Sequence, residues 1–250
     1  MTDLESLRLM KKFLPLIIFG LGVIVLALVY FLVVVPAKNK PATNFQDESA
    51  LMDIALNDRP FTSLTPTDDG HFINMKIDKI KIPAVTMDYE LLYDLPDGRT
   101  QGVPGTITLN GQTMIERKML LGSESSGKFR YDEGVKEGTL TLRFRNDKAK
   151  LIAKFITKFA LLSNTKTLSS VDENFKATLT KLPKGFQVVM ETFGVPADAP
   201  GEVKLGPFGI FASSGPLVGS VDITGYKISR YNGSSWVSDF DAGIFVGTAQ

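Results

Sequence analysis

Few side chains in this 250-residue chain can do nucleophilic or metal chemistry. It has no cysteine and one histidine, His71. Thiol nucleophiles, disulfides, cysteine zinc sites, lipid-modified cysteines and His-pair metal sites within one chain are therefore excluded. Serine, aspartate and glutamate chemistry and oxygen-ligand Ca²⁺ sites survive. A triad would have to join His71 to Asp68 or Asp69 and a distant serine. No serine stands in a G-x-S-x-G elbow, and His71 opens a predicted strand beside a turn, so it reads as a surface histidine.

Gly122-Ser123-Glu124-Ser125-Ser126-Gly127-Lys128 has the spacing of a phosphate-cradling loop. Phe129 stands where that chemistry needs a hydroxyl for Mg²⁺, and turn residues follow instead of a helix, so the run reads as a hairpin loop. Asp239 and Asp241 flank Phe240 as in a Ca²⁺ loop, without the further ligands or the closing glutamate, which favours a solvated turn. Phe208, Phe211, Tyr226, Tyr231 and Trp236 are candidates for a glycan platform, against core packing as the simpler use. Trp236, beside an Asn-Gly turn, is the candidate ligand-binding residue. Asn232-Gly233-Ser234 fits an N-glycosylation acceptor, but a hairpin turn already explains it. These residues point to no catalytic residue, cofactor or metal.

The elements that must position these residues begin with an apolar run. Phe13 to Val35 carries no charge and makes a helix of roughly 35 Å, enough to cross a bilayer core of about 30 Å. It is longer than the apolar core of a cleaved signal peptide, about 7–15 residues, and so reads as a transmembrane anchor contacting the lipid bilayer. Arg8, Lys11 and Lys12 precede it and Lys38 and Lys40 follow, which points the amino terminus to the cytoplasm. Residues 1–12 are then a cytoplasmic tail, and everything beyond residue 36 is extracytoplasmic. Residues 36–70 read as a juxtamembrane stalk with a short helix over Ser49–Asn57 and a connector at Thr62–Gly70.

From Phe72 the apolar period becomes two. Ile73, Met75 and Ile77 alternate with polar neighbours, and Ile80 and Ile82 take the opposite parity, which predicts a β-bulge near Asp78-Lys79. Tyr89, Leu91 and Tyr93 form a second strand. Thr106–Leu109 and Met114–Leu121 flank Asn110-Gly111 as a predicted hairpin. Leu140, Leu142 and Phe144 make the clearest half-buried strand. Lys150–Leu161 fits a strand, with an amphipathic helix as the alternative. After the Ser163–Asp172 connector, strands resume at Phe175–Leu182, Phe186–Phe193, Val203–Ala212, Val218–Ile223, Tyr226–Tyr231, Ser235–Val237 and Ile244–Val246. Gly206-Pro207 predicts a bulge or an edge position in the third of these. The expected fold is all-β, with Ig-like β-sandwich units after one transmembrane helix. An Ig-like sandwich covers 71–163 and a second β unit 172–250, with one larger two-sheet domain as the alternative.

Over Tyr89–Arg145 the chain resembles a group of uncharacterised single-span envelope proteins of reduced-genome environmental bacteria, which carry an Ig-like ectodomain after the anchor. The likeness lies in Leu121-Gly122-Ser123, Ser125-Ser126-Gly127, Arg130-Tyr131-Asp132-Glu133-Gly134-Val135 and Leu140-Thr141-Leu142-Arg143-Phe144. None of these stretches has an assigned role, so the resemblance implies an envelope location and no reaction.

The 28 basic and 27 acidic residues nearly cancel, which gives no support to a basic nucleic-acid surface, and no nucleic-acid partner is expected. The expected function is that of a non-enzymatic structural or protein-interaction component of the cell envelope. A surface module binding glycan or another small ligand is the alternative.

Overall fold

A computed structural model describes residues 51–249, all within one compact unit. The predicted tail, the membrane segment Phe13–Val35 and the Ser49 cap lie outside the described residues. Among the described residues no helix is long and apolar enough to cross a membrane. They form an all-β structure of sandwich-like sheets, with a single 3-10 turn at Leu56–Asp58. Leu51–Ala55, expected in a short helix, is not helical. Met52 N donates to Ile152 O at 3.2 Å, and Ile54 packs on the core, so the segment is held along a neighbouring strand.

Nine strands make one antiparallel sheet. From edge to edge they are β16 (Trp236–Val237), β15 (Lys227–Tyr231), β17 (Gly243–Thr248), β13 (Val203–Ala212), β12 (Phe186–Glu191), β9 (Leu151–Ser163), β8 (Glu137–Arg145), β3 (Thr86–Asp94) and β4 (Thr100–Thr108). Two three-stranded sheets accompany it: β1 (Phe61–Pro66), β2 (Phe72–Asp78) and β5 (Ile115–Leu120), and β10 (Thr167–Ser169), β11 (Lys176–Leu179) and β14 (Gly219–Val221). A separate hairpin joins β6 (Gly122–Ser125) to β7 (Lys128–Tyr131).

The small sheets cover opposite faces of the long one. Successive side chains of a strand point to opposite faces, and β12 uses both. Val188 and Met190 enter the core with Ile73, Met75 and Ile77 of β2, whereas Val189 enters the core with Ala177 and Leu179 of β11. Strand β13 does the same, sending Phe208 and Ile210 into the second core while Phe211 packs against the first. Each fully buried Leu, Val or Phe contributes about 1.5–3 kcal/mol.

Leu140, Leu142 and Phe144 are fully buried, as their alternation requires. Lys150–Leu161 is a strand: Ala153, Phe159 and Leu161 of β9 are buried and Lys154 and Lys158 take the opposite parity. The sheet runs without a break across the expected boundary between 163 and 172, because β9 pairs with β12 from Phe159↔Met190 to Ser163↔Phe186. The two cores therefore share one sheet. Within the segment read as a stalk, Phe61–Pro66 is β1, with Thr62 and Leu64 buried.

Two turn readings need correction. Asn110 and Gly111 do form a tight turn, with φ of 48° and 75° and Gln112 N donating to Leu109 O. The strands on either side nevertheless part, β4 pairing with β3 and β5 with β2, so the turn carries the chain between sheets. The parity change after Asp78 is not a bulge. The strand ends there, Lys79 turns at φ 58°, and Ile80 and Ile82 are buried outside any strand. At Gly206-Pro207 the register shifts twice, between Val203 and Leu205 and between Leu205 and Phe208. That is the expected bulge, inside the sheet between β17 and β12 and not at an edge.

Candidate functional site

The β6–β7 hairpin arises where β5 would otherwise lead to β8. Leu121 N donates to His71 O at 2.9 Å, the chain runs out through the hairpin, and Asp132 N returns to Leu121 O at 3.0 Å. Ser126 and Gly127, at φ 51° and 74°, supply the two left-handed residues of its tip. The glycine-rich run Gly122–Lys128 is thus a hairpin, and the residues after it are strand.

All four residues of β7 are exposed, and Phe129 and Tyr131 share one face. Phe129 is 48% and Tyr131 36% exposed, high values for rings in a strand. Their planes lie 1° apart with centroids at 6.0 Å. His71 continues the series, stacked on Tyr131 at 3.8 Å and 2°. Phe72 meets Phe129 and Tyr131 edge-on at 6.2 and 6.1 Å, and Lys118 Nζ sits 4.1 Å over the Phe72 ring. The result is an aromatic ladder of Phe129, Tyr131 and His71 braced by Phe72.

Carboxylates rim the inner end. Asp69 Oδ2 lies 3.2 Å from His71 Nδ1, and Glu133 Oε1 lies 3.7 Å from Nε2. The Thr67 hydroxyl and the His71 backbone amide both donate to Asp69, and these bonds hold its carboxyl below the usual range. Buried Tyr93 donates its hydroxyl to Asp132 Oδ2 at 2.9 Å. Burial, then this bond and the charge of Asp132, push the Tyr93 hydroxyl well above its ordinary pKa. A cleft of about 460 Å³ opens beside His71, with Glu133, Lys136, Ser163 and Thr165 in its walls. Of the two aspartates considered for a triad, Asp69 is the one against His71. Ser163 shares the cleft, without a nucleophile–base hydrogen bond among the described residues.

The aromatic residues weighed as a glycan platform, with core packing as their simpler use, are not assembled as one surface. Phe208 is buried between Phe175 and its neighbours in the second core, and Phe211 packs against the first. Trp236 pairs with Tyr231 across the β15–β16 turn at 5.4 Å, and its Nε1 donates to Asp198 O at 2.6 Å, which fixes the half-buried indole. Asn232 Oδ1 accepts from Ser234 N and Ser235 N, as its turn role requires. Asp239 is bound by Arg230 Nε and a terminal guanidinium nitrogen at 3.0 and 2.7 Å, while Asp241 accepts from the Leu217 and Ala242 amides. Among the described residues no group of three His, Asp or Glu could hold a metal ion.

Two further clefts lie elsewhere. One of about 520 Å³ is lined by Arg59, Lys158, Asp172 and Glu191. Burial and then the charge of Asp172 raise the Glu191 pKa, against the pull of Arg59. Burial would also raise Asp172, but hydrogen bonds from Ser170 and Asn174 outweigh it and its pKa falls. The other, about 770 Å³, lies between β1 and β13 and includes Phe61, Lys76, Phe211 and Tyr231.

Sequence reasoning missed the ladder. Its signal was Phe129 and Tyr131 at i and i+2 in a hairpin too short to have a buried face, together with His71-Phe72 at a strand start. Comparison with protein-family models, with curated proteins and with solved structures finds no match to this chain.

Proposed function

We propose that this chain is a non-enzymatic interaction component of a bacterial cell envelope, held at the membrane by a helix over Phe13–Val35 with its amino terminus in the cytoplasm. The β body then lies outside the membrane and makes its contacts through the β6–β7 hairpin. The observation that carries the reading is the ladder: exposed, mutually ordered aromatic rings on a hairpin outside both cores. Contiguous exposed apolar surface of this kind marks interaction sites.

The strand order also supports an Ig-like reading of the first sandwich. Strands β1-β2-β5 and the run β9-β8-β3-β4 of the long sheet, all antiparallel, make seven, and β12 of the long sheet adds Val188 and Met190 to the same core. Seven is the strand number of an Ig-type sandwich, and in it the β6–β7 hairpin is an insertion between the fifth strand and the next long one. Folds of this type host many functions, so the role rests on the hairpin and not on the fold.

The test is the native mass of the protein extracted from its own membranes in mild detergent. A membrane-bound, discrete complex larger than the 27.4 kDa chain is expected. A monomer, or a protein found in the soluble fraction, would overturn the reading.

A further inference from the structure

We infer that the ladder is a binding site for a neutral carbohydrate chain, an assignment that rests on the hairpin being the contact surface. Phe129 and Tyr131 hold their rings parallel in a strand with no buried residue. Sugar rings present flat C–H faces that pack on aromatic faces, and such rings are rigid, so little entropy is lost when they bind. The inner face of the stack is closed by His71, which leaves the Phe129 end open to a ligand.

The polar groups beside the rings fit hydroxyls. Glu124 stands directly across the hairpin from Phe129, on the same face. Glu133, the second oxygen of Asp132 and the Nε2 edge of His71 surround the inner end. A carboxylate accepts two hydrogen bonds at once, and neighbouring sugar hydroxyls can donate both. Ser163 adds a hydroxyl that can donate or accept in the cleft. Asp69, Glu124, Asp132 and Glu133 on the ladder side outnumber Lys136 in the cleft and Lys118 over the Phe72 ring, a balance that disfavours an anionic ligand. Lys128 and Arg130, by their alternation with Phe129 and Tyr131, point to the other face of β7. The 460 Å³ cleft at the inner end is within the range of small-ligand sites.

The full chain in detergent is titrated calorimetrically with tetra- to hexasaccharides of β-1,4-glucose, β-1,4-N-acetylglucosamine, α-1,4-glucose and β-1,4-xylose, with polygalacturonate and an arginine-rich peptide as controls. At least one neutral sugar is expected to bind with Kd below about 1 mM. Phe129→Ala should weaken it tenfold or more at unchanged Tm, and Phe129→Trp should retain it. Absence of binding by every neutral sugar, or binding that survives both Phe129→Ala and Tyr131→Ala, overturns the assignment. The detergent-extracted complex separates this from failure of the broader reading. A complex lost in Phe129→Ala, with no sugar bound, leaves the hairpin as a protein contact and the carbohydrate assignment refuted. A complex unchanged in Phe129→Ala, with no sugar bound, removes the hairpin from both.

Discussion

The imidazole of His71 lies flat on the phenol ring of Tyr131, 2° from parallel with centroids 3.8 Å apart. This contact joins the start of β2, part of a packed sheet, to a hairpin that has no core of its own. His71→Ala should therefore leave global stability nearly unchanged while loosening the hairpin. Amide exchange across Gly122–Tyr131 is expected to accelerate about tenfold or more relative to β2 and β5, as local opening becomes easier. Equal exchange in both proteins would show that Phe72 alone holds the ladder.

Because β12 feeds both cores, the two sandwiches should unfold together. Met190→Ala, in the first core, should cost about 2–5 kcal/mol, and Phe175→Ala, in the second, about 3–5 kcal/mol. Each should shift one common calorimetric transition. Two separated transitions in either variant would mean that the shared strand does not couple the cores.

Glu191 has a raised pKa in the folded protein. Its protonated form therefore favours folding: that contribution is present at pH below the unfolded carboxylate range, near about 4, and is lost as pH rises through the raised value. Glu191→Gln should increase Tm by a few degrees or less at pH 7 and make no difference near pH 3. A variant less stable than wild type at pH 7 would contradict this.

Gly70 precedes His71 at φ +71°, and a Cβ there would lie 2.5 Å from Phe186 Cζ. Gly70→Ala should cost about 1–3 kcal/mol from backbone strain alone and more from the ring. Gly98, at φ +83° with open space around it, isolates the backbone part. Urea midpoints of the two alanine variants should differ, with Gly70→Ala the lower.

The Arg230 side chain is 8% exposed and binds both Asp239 and the Ala242 carbonyl. Arg230→Met should destabilise by about 1–3 kcal/mol, because an acceptor loses its partner. With Asp239 and Asp241 committed in this way, Ca²⁺ and chelator should give the same Tm. A rise with Ca²⁺ would restore the loop as a metal site.

Much of the fold was legible where one face is buried and the other wet. Leu140, Leu142 and Phe144 declared β8, whereas for β9 the four-residue steps of Leu151, Phe155 and Phe159 left a helix open, and the pairing with β8 decides for strand. Legibility failed where pairing is long-range. Asn110-Gly111 has ideal hairpin chemistry, yet nothing local states that Ile115 will pair with Ile77 and not with a residue of β4. Strand β1 was hidden because Thr62–Pro66 is polar and carries a proline, while its burial comes from a sheet assembled later in the chain. Phe208 and Phe211 take the core packing that was their simpler use, though on opposite faces. Alternation says that Phe208 and Phe211 face opposite ways, but it cannot say that both faces of β13 are covered. Phe129 and Tyr131 were overlooked because a short exposed strand gives no apolar period to read.

The strand that serves two cores also sets an order of events during synthesis. The first sandwich needs Val188, Met190 and Phe193 to complete its interior, and these emerge after a further polar connector and two short strands. Until then β9 has β8 on one side and an open row of amides at Phe159–Ser163 on the other, a template for mispairing with a neighbouring nascent chain. A chain ending before Phe186 should thus display an adhesive edge, and its aggregation relative to the full chain measures that exposure.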